Sequence, residues 1–506
     1  MLMRVLATSA AAGLAIALLG ASPATAEDAA SVTLIPGSTI GTGALQDLDA
    51  LGYTETEYVV TVHDPQVYRY QRSTTRVSAR PAPPSPQGEY RSRIIVRTPR
   101  DRAAFNGRVL VEMMNTTAQV DLDIAWQQAH DYLARDGWAY VGITVQQTGI
   151  SALKRFTRDR SRYTPLGLNL QTPAAATDLS SGQRDPSIAW DLVTQVGQLL
   201  SSTSPDSPLA GYDVQSLFLT GQSQMAGYAV TYLNAIHPRE QVYDGFLIAY
   251  RGAGATNLRY RKNDPTASTS ISKTQRRVNR RTDPVIVLQS GSDPLRGPEP
   301  GAKADFDATI WRPDATTERD RYRLWEVAGS SHNDRWGSEQ ALGILRRDYG
   351  LPFAPRCDWT APAGVNDFPA RMAWHAALHA LAIWSEEDVP APTAPRLERD
   401  EQGAPVLDAD GNALGGIRLP RLEVPVATYR PTSPGALFCP LTGTQIPFED
   451  SALQDRYPTL QDYVDLVQRA ADDATEQGFL LPADAATLIE SASRGPQSEA
   501  QTIREY

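Results

Sequence analysis

Along this chain, short apolar segments alternate with segments of helical periodicity, and this alternation limits the possible folds. Eight runs rich in β-branched and apolar residues are predicted to be strands, namely Tyr58–Val62, Arg93–Val96, Val109–Met113, Tyr140–Val145, Leu217–Thr220, Gly245–Ala249, Val285–Leu288 and Arg323–Val327. Strands that alternate with helices predict a mostly parallel, doubly wound sheet with helices on both faces. The first two runs have no helix between them, so we expect them to form an antiparallel hairpin at one edge. The predicted fold class is α/β.

Three of the intervening segments have clear helical signals. Ile124–Arg135 is predicted to be a helix that ends near Gly137, and Asp185–Leu200 carries apolar residues at helical spacing. Met225–Ile236 is predicted to be a third helix. We expect it to end at His237-Pro238, because a residue before proline disfavours the α conformation.

The two ends of the chain differ in composition from this central part. Arg4, an apolar run to Leu19 and the small residues Ala24-Thr25-Ala26 are typical of a secretory signal peptide, predicted to be cleaved near Ala26. A membrane anchor is the alternative, but the run is shorter than the ~20 apolar residues that a spanning helix needs. We expect residues 27–350 to form the core and residues 351–506 an extension packed on it. The sequence thus predicts a secreted protein without a stable membrane anchor.

Charge and cysteine content exclude other classes of protein. The net charge of -10 argues against a nucleic-acid-binding protein, which would show a basic surplus. The two cysteines, Cys357 and Cys439, cannot form a disulfide-rich scaffold. In an exported protein they are predicted to form one disulfide bond, which would hold the extension near the core.

Ser223 is the first candidate for chemistry. The segment Gly221-Gln222-Ser223 lies where a predicted strand ends and a predicted helix begins. A tight turn at such a junction exposes the hydroxyl of a nucleophilic serine, and the next backbone N–H, that of Gln224, can stabilise an oxyanion. A serine at this place also fits a helix N-cap. The motif alone supports both interpretations equally.

Two later loops favour the nucleophile. Asp293 follows the strand Val285–Leu288, and His332 follows the strand Arg323–Val327. Serine, acid and histidine in this chain order are typical of an α/β hydrolase, and loops at one end of the sheet are where such a fold assembles its site. The alternatives are that Asp293 only shapes a turn and that His332 only caps a helix. A second oxyanion donor is expected in the loop after Val109–Met113, from the backbone N–H of Asn115 or its neighbour Thr116.

Other motifs predict no cofactor and no metal ion. His375 and His379 have a spacing that can bind zinc from one helix face, but a third ligand is lacking and a packing helix is favoured. A hairpin turn is favoured over a calcium loop at Asp410-Gly411. Residues 252–283 occupy the position of a lid.

Several segments resemble the bacterial secreted alpha/beta hydrolase domain-containing proteins: Val111–Asn115, Val230–Pro238, Trp325–His332, Asp410–Pro420 and Val424–Tyr429. The resemblance covers nearly all of the chain after the predicted signal peptide. It implies a serine hydrolase of α/β-hydrolase fold that acts on esters, with Ser223 and His332 at its motif positions.

The expected function is that of a secreted carboxylic-ester hydrolase that acts on a small-molecule ester through the triad Ser223, Asp293 and His332. An acyltransferase would use the same three residues, and a non-catalytic binding protein could share the fold. The motifs specify neither the natural substrate nor the oligomeric state.

Overall fold

The computed structural model describes residues 30–38, 40–71, 77–82, 88–170, 187–259, 272–293, 312–351, 364–401, 403–434 and 439–504. The predicted signal peptide and Cys357 lie outside these residues. Cys439 is buried, and no cysteine among the described residues is free. The Cys357–Cys439 bond therefore stays a prediction.

A large sheet forms the centre of the described part of the chain. Its strands are β1 (Ser31–Leu34), β2 (Tyr53–His63), β5 (Gly88–Pro99), β6 (Arg108–Met113), β7 (Ala139–Ile143), β8 (Gly167–Leu170), β9 (Ser216–Gln222), β10 (Gly245–Ala249), β11 (Val285–Ser290), β12 (Ala315–Thr317) and β13 (Asp320–Val327). The order is β1-β2-β5-β7-β6-β9-β10-β11-β13-β12, and β8 pairs with β5. All eight predicted strands lie in this sheet, so the prediction of an α/β fold is confirmed.

The six strands from β7 to β13 in this order are parallel, whereas both margins are antiparallel. The predicted hairpin is present, since β2 and β5 pair antiparallel. Tyr53 lies opposite Pro99 at one end of the pair, and His63 lies opposite Glu89 at the other. It is not at the edge, because β1 pairs with the outer side of β2. Two shorter hairpin strands, β3 (Tyr68–Tyr70) and β4 (Ala79–Pro81), pair with each other.

Helices cover both faces of the sheet. The helices that precede the last third of the chain are α1 (Ile124–Asp136), α2 (Gln147–Phe156), α3 (Ala189–Leu200) and α4 (Gln224–Thr231), with shorter helical segments at Arg102–Ala104, Arg160–Tyr163 and Lys273–Arg276. As predicted, α1 ends at Gly137, whose φ of 78° is the left-handed conformation that glycine adopts readily.

The predicted end of the third helix is wrong. α4 continues through a π-helical turn, Tyr232–Ile236, into a further α-helical turn, His237–Glu240. Pro238 occupies the first turn of this last segment. Proline has no N–H to donate to the preceding turn, and the guanidinium of Arg281 donates instead to the carbonyls of Leu233 and Asn234, at 2.8 and 2.7 Å.

Residues beyond 350 supply part of the layer that covers the sheet. The helix Arg371–Glu387 packs on β10, β11 and α1, and most of its side chains are buried. The remaining elements are β14 (Gly364–Val365), β15 (Ala427–Arg430), β16 (Thr444–Pro447) and the helical segments Arg335–Tyr349, Pro420–Glu423, Cys439–Leu441, Asp450–Arg456, Leu460–Glu476, Pro482–Ala492 and Pro496–Arg504.

The Asp410-Gly411 turn is present, closed by hydrogen bonds between Asp408 and Asn412. Among the described residues, no helix combines the length and apolarity needed to cross a membrane.

Candidate active site

The turn between β9 and α4 holds Ser223 in a backbone conformation that is rare outside glycine. Its φ is 57° and its ψ is −112°. The Ser223 N–H donates to the carbonyl of Ala249 at 3.0 Å, which ties the turn to the end of β10. The side chain makes no capping hydrogen bond to α4, and the residue is partly exposed. Ser223 therefore lies at the N-cap position of α4, but its side chain does not cap the helix.

His332 lies in the loop after β13 and contacts Ser223. Its Nε2 is 2.8 Å from Ser223 Oγ, and its Nδ1 is 2.7 Å from Asp293 Oδ1. The backbone N–H of His332 donates to Ser292 Oγ at 2.9 Å. With a carboxylate at Nδ1, the proton of a neutral imidazole lies on Nδ1 and the lone pair of Nε2 faces the serine.

Asp293 lies three residues after the end of β11, and its side chain is fully buried. Its Oδ2 accepts hydrogen bonds from the N–H and the hydroxyl of Ser290, at 2.9 and 2.7 Å. The N–H of Gly291 donates to the carbonyl of Ser330 at 3.0 Å, which joins the acid loop to the histidine loop. These bonds orient the carboxylate toward the imidazole, so Asp293 does more than shape a turn.

The prediction of Asn115 as an oxyanion donor is wrong. The Asn115 N–H donates to the carbonyl of Leu122 at 2.9 Å, and the Leu122 N–H donates back at 2.8 Å. The neighbouring N–H of Thr116 has no acceptor in the described part of the chain, and the Thr116 hydroxyl is 3.3 Å from Gln224 Oε1. Gln224 itself begins α4, where backbone N–H groups have no intrahelical acceptor. The N–H groups of Thr116 and Gln224 are thus available to an anion.

A family model described as an alpha/beta hydrolase domain matches residues 21–490. The chain belongs to this family. No curated protein sequence matches it.

Solved structures similar to this α/β hydrolase share little sequence with it. An a/b serine hydrolase without lid from Xanthomonas campestris is 12% identical over 57% of this chain and 97% of its own, with a TM-score of 0.27. A glucuronoyl esterase from Solibacter usitatus is 11% identical over 65% of this chain and 88% of its own, with a TM-score of 0.30.

Buried ion pairs attach the loop that carries Thr116 to strand β5. Arg93 and Arg97 of β5 are both fully buried, which is unusual for a charged side chain. Arg93 Nη2 is 2.8 Å from Asp121 Oδ2, and Arg97 Nη1 is 2.6 Å from Asp123 Oδ2. None of the predicted site motifs includes these residues. The sequence pattern that could have predicted these ion pairs is the presence of two arginines in an otherwise apolar strand and of two aspartates in one loop.

Glu112, at the end of β6, is a second buried acid near this loop. Both of its oxygens accept from the N–H of Ala125 at 3.0 Å, and Tyr140 Oη donates to it at 2.8 Å. Burial raises the pKa of Glu112 to about 8, since the charged form loses its hydration.

The histidines with zinc spacing have protein partners in this hydrolase. His375 Nδ1 is 2.9 Å from Asp484 Oδ2, and its Nε2 is 3.1 Å from the carbonyl of Gln128. His379 Nδ1 is 3.5 Å from the hydroxyl of Tyr132. In the described ranges, no group of three or more metal-binding side chains occurs. The helix that carries both histidines joins α1 to the C-terminal helices.

The segment predicted as a lid is described only in part, since residues 260–271 lie outside the described residues. Its first part packs on α4, where the Thr256 N–H donates to the carbonyl of Gly227 at 3.0 Å. Its role as a lid stays a prediction.

Proposed function

We propose that this α/β hydrolase is a serine hydrolase that cleaves carboxylic esters through an acyl-enzyme. The observation that carries the proposal is one continuous chain of hydrogen bonds. It runs from the buried carboxylate of Asp293 through the imidazole of His332 to the partly exposed hydroxyl of Ser223, with distances of 2.7 and 2.8 Å. A serine hydroxyl needs such a base, and the base needs an orienting acid, to react near neutral pH.

In the proposed reaction, Ser223 Oγ attacks the acyl carbon while its proton passes to His332 Nε2. The C–O bond to the alcohol breaks as that proton is transferred to the departing oxygen. Water then attacks the acyl-enzyme with His332 as base, which releases the acid and restores Ser223. Asp293 holds the imidazole with its proton on Nδ1 and stabilises the imidazolium that forms.

The charge that develops on the carbonyl oxygen needs donors beside Ser223. We assign this role to the N–H groups of Gln224 and Thr116, because neither has another acceptor among the described residues. The N–H of Gln224 also benefits from its place at the start of α4, where the helix dipole favours negative charge. A lost donor of this kind typically costs about 10²–10³ in kcat.

The test combines a panel of p-nitrophenyl esters with labelling by a fluorophosphonate. We expect the wild type to hydrolyse a member of the panel and to be labelled, and Ser223→Ala to do neither. Equal labelling of both proteins would refute Ser223 as the nucleophile. Labelling of neither would refute the mechanism and favour a non-catalytic binding protein. Adding an alcohol and measuring the ratio of transfer product to free acid separates an ester hydrolase from an acyltransferase.

We also propose that the protein is exported after cleavage near Ala26. The support is the charged, apolar and small-residue pattern of its first 26 residues. N-terminal sequencing of the protein from the culture medium or cell envelope is expected to begin at Glu27. A cell-associated protein that still begins with Met1 would contradict export.

A further inference from the structure

Gln222, the residue between Gly221 and Ser223, contacts the proposed base directly. Its side chain is buried, and its Nε2 lies 3.3 Å from His332 Nε2. The same ring nitrogen lies 2.8 Å from Ser223 Oγ. Two groups therefore face the one lone pair of His332 Nε2.

Neighbouring hydrogen bonds determine which end of the Gln222 amide faces His332. Asn115 Oδ1 accepts from the N–H of Thr117 at 2.8 Å, and Asn115 Nδ2 donates to the backbone carbonyl of Gln222 at 3.0 Å. These two backbone partners fix the orientation of the Asn115 amide. Its Nδ2 also lies 3.2 Å from Gln222 Oε1. A flipped Gln222 would place two donors against each other, so its N–H must point at His332.

We propose that Gln222 is a positioning residue that sets the proton affinity of His332 by donating a hydrogen bond to Nε2 of the neutral ring. The inference rests on the proposed function, since it concerns the base of that reaction. A donor at this lone pair favours the neutral imidazole over the imidazolium. Once His332 takes the Ser223 proton, Nε2 becomes a donor that faces the Gln222 donor. His332 is thereby kept active at lower pH, and it releases the proton more readily to the leaving oxygen.

The surroundings of His332 contain other titratable groups that a pH experiment must separate from this effect. The carboxylate of Asp293 contacts Nδ1, and the ring of Tyr250, from the turn after β10, lies 5.9 Å from the imidazole ring. Asp334 lies two residues along the same loop, and burial raises its pKa to about 6. Asp334 caps the helix Arg335–Tyr349 by accepting from the N–H of Gly337 at 2.7 Å.

Two variants of Gln222 test the proposal in the full-length protein. Gln222→Met removes the donor at similar length, whereas Gln222→Glu replaces it with an oxygen that accepts. The rate of fluorophosphonate labelling and kcat/KM for a p-nitrophenyl ester are measured between pH 4 and 9. We expect the acidic limb of both profiles to move to higher pH, by about half to one unit in Gln222→Met and about one to two units in Gln222→Glu.

Asp334→Asn is the control, because asparagine also caps helices and this change removes the acid that titrates in the same range. We expect the Gln222 shifts to keep their size in the Asp334→Asn background. Circular dichroism melting of each variant separates a change at His332 from unfolding.

Two results would overturn the inference. Unshifted acidic limbs in folded Gln222 variants, with activity lowered equally at all pH values, would mean that Gln222 only packs; the proposed function would then stand if Ser223→Ala is unlabelled. Persistent labelling of Ser223→Ala would instead overturn the proposed function and this inference together.

Discussion

Gly221 is the second-last residue of β9, and the carbonyl oxygen of Met225 is 2.6 Å from the position that a Cβ atom on Gly221 would take. A side chain at this residue would therefore displace the backbone of α4. The same close packing holds Ser223 at a φ of 57°, a strained value for a residue with a Cβ. At the scale of the residue, the glycine permits the turn and the turn presents the serine.

Gly221→Ala tests this requirement. We expect the free energy of unfolding to fall by about 1–3 kcal/mol, as in overpacked cores, and fluorophosphonate labelling to drop with it. Urea unfolding measures the first effect. Gly227→Ala is the matched control, because its Cβ would meet nothing closer than Thr256 Oγ1 at 3.5 Å. Equal losses of unfolding free energy and labelling in the two variants would show that the turn does not specifically require glycine at position 221.

Glu112 provides a prediction on pH. Burial raises its pKa from 4.5 to about 8, so the native state binds this proton more tightly than the unfolded chain. The contribution of Glu112 to stability is present below pH 4.5 and is lost as the pH rises through 8. Glu112→Gln keeps the shape and removes the titration. We expect the slope of unfolding free energy against pH to differ between the two proteins by up to about 1.4 kcal/mol per pH unit in this range. Parallel plots of unfolding free energy against pH for the wild type and Glu112→Gln would contradict a raised pKa of Glu112.

At the scale of the element, β5 and the loop 114–123 depend on each other. Arg93 and Arg97 project from the same face of the strand, and each meets an aspartate of the loop. Glu57 and Glu55 of β2 bind the same two guanidinium groups. The bridge between Asn115 and Leu122 closes the loop, so the ion pairs at one end determine the place of Thr116 at the other.

Breaking one buried pair tests this connection. Arg93→Met is expected to lower the unfolding free energy by about 3–5 kcal/mol, because it removes the cation that pairs with the buried carboxylate of Asp121. Asp121→Asn is expected to lower it by less, because Arg93 keeps its ion pair with Glu57. The double variant is expected to lose less than the sum of the two. The exposed pair Arg100–Asp49 is the control, for which removal costs about 0–1 kcal/mol. Additive losses at Arg93 and Asp121 in urea unfolding would exclude a coupling between them.

At the scale of the whole molecule, the chain beyond residue 350 completes the core. The helix Arg371–Glu387 covers β10 and β11, and Trp374 and Leu381 are fully buried. His375 joins this helix to α1 and to the helix Pro482–Ala492 through Gln128 and Asp484. The family model spans both parts of the chain, to residue 490.

The predicted Cys357–Cys439 bond would close a loop that contains this helix. A loop of ~80 residues corresponds to roughly 4–5 kcal/mol of stabilisation in the chain-entropy model. We expect thiol titration of the unfolded, unreduced protein to detect no free thiol, and reduction to lower the unfolding midpoint. Two titratable thiols before reduction would disprove the bond.

The fold class, the positions of the main strands along the chain and the loops that carry Ser223, Asp293 and His332 were predictable from the amino-acid sequence. These follow from local signals, since strand and helix periods are written in neighbouring residues. Three features are visible only in the folded chain: the Asn115 N–H donates to Leu122, a π-helical turn carries the third helix past Pro238, and Gln222 faces His332. Each of these depends on which hydrogen-bond partner another part of the chain brings within reach, and no local pattern encodes that distance.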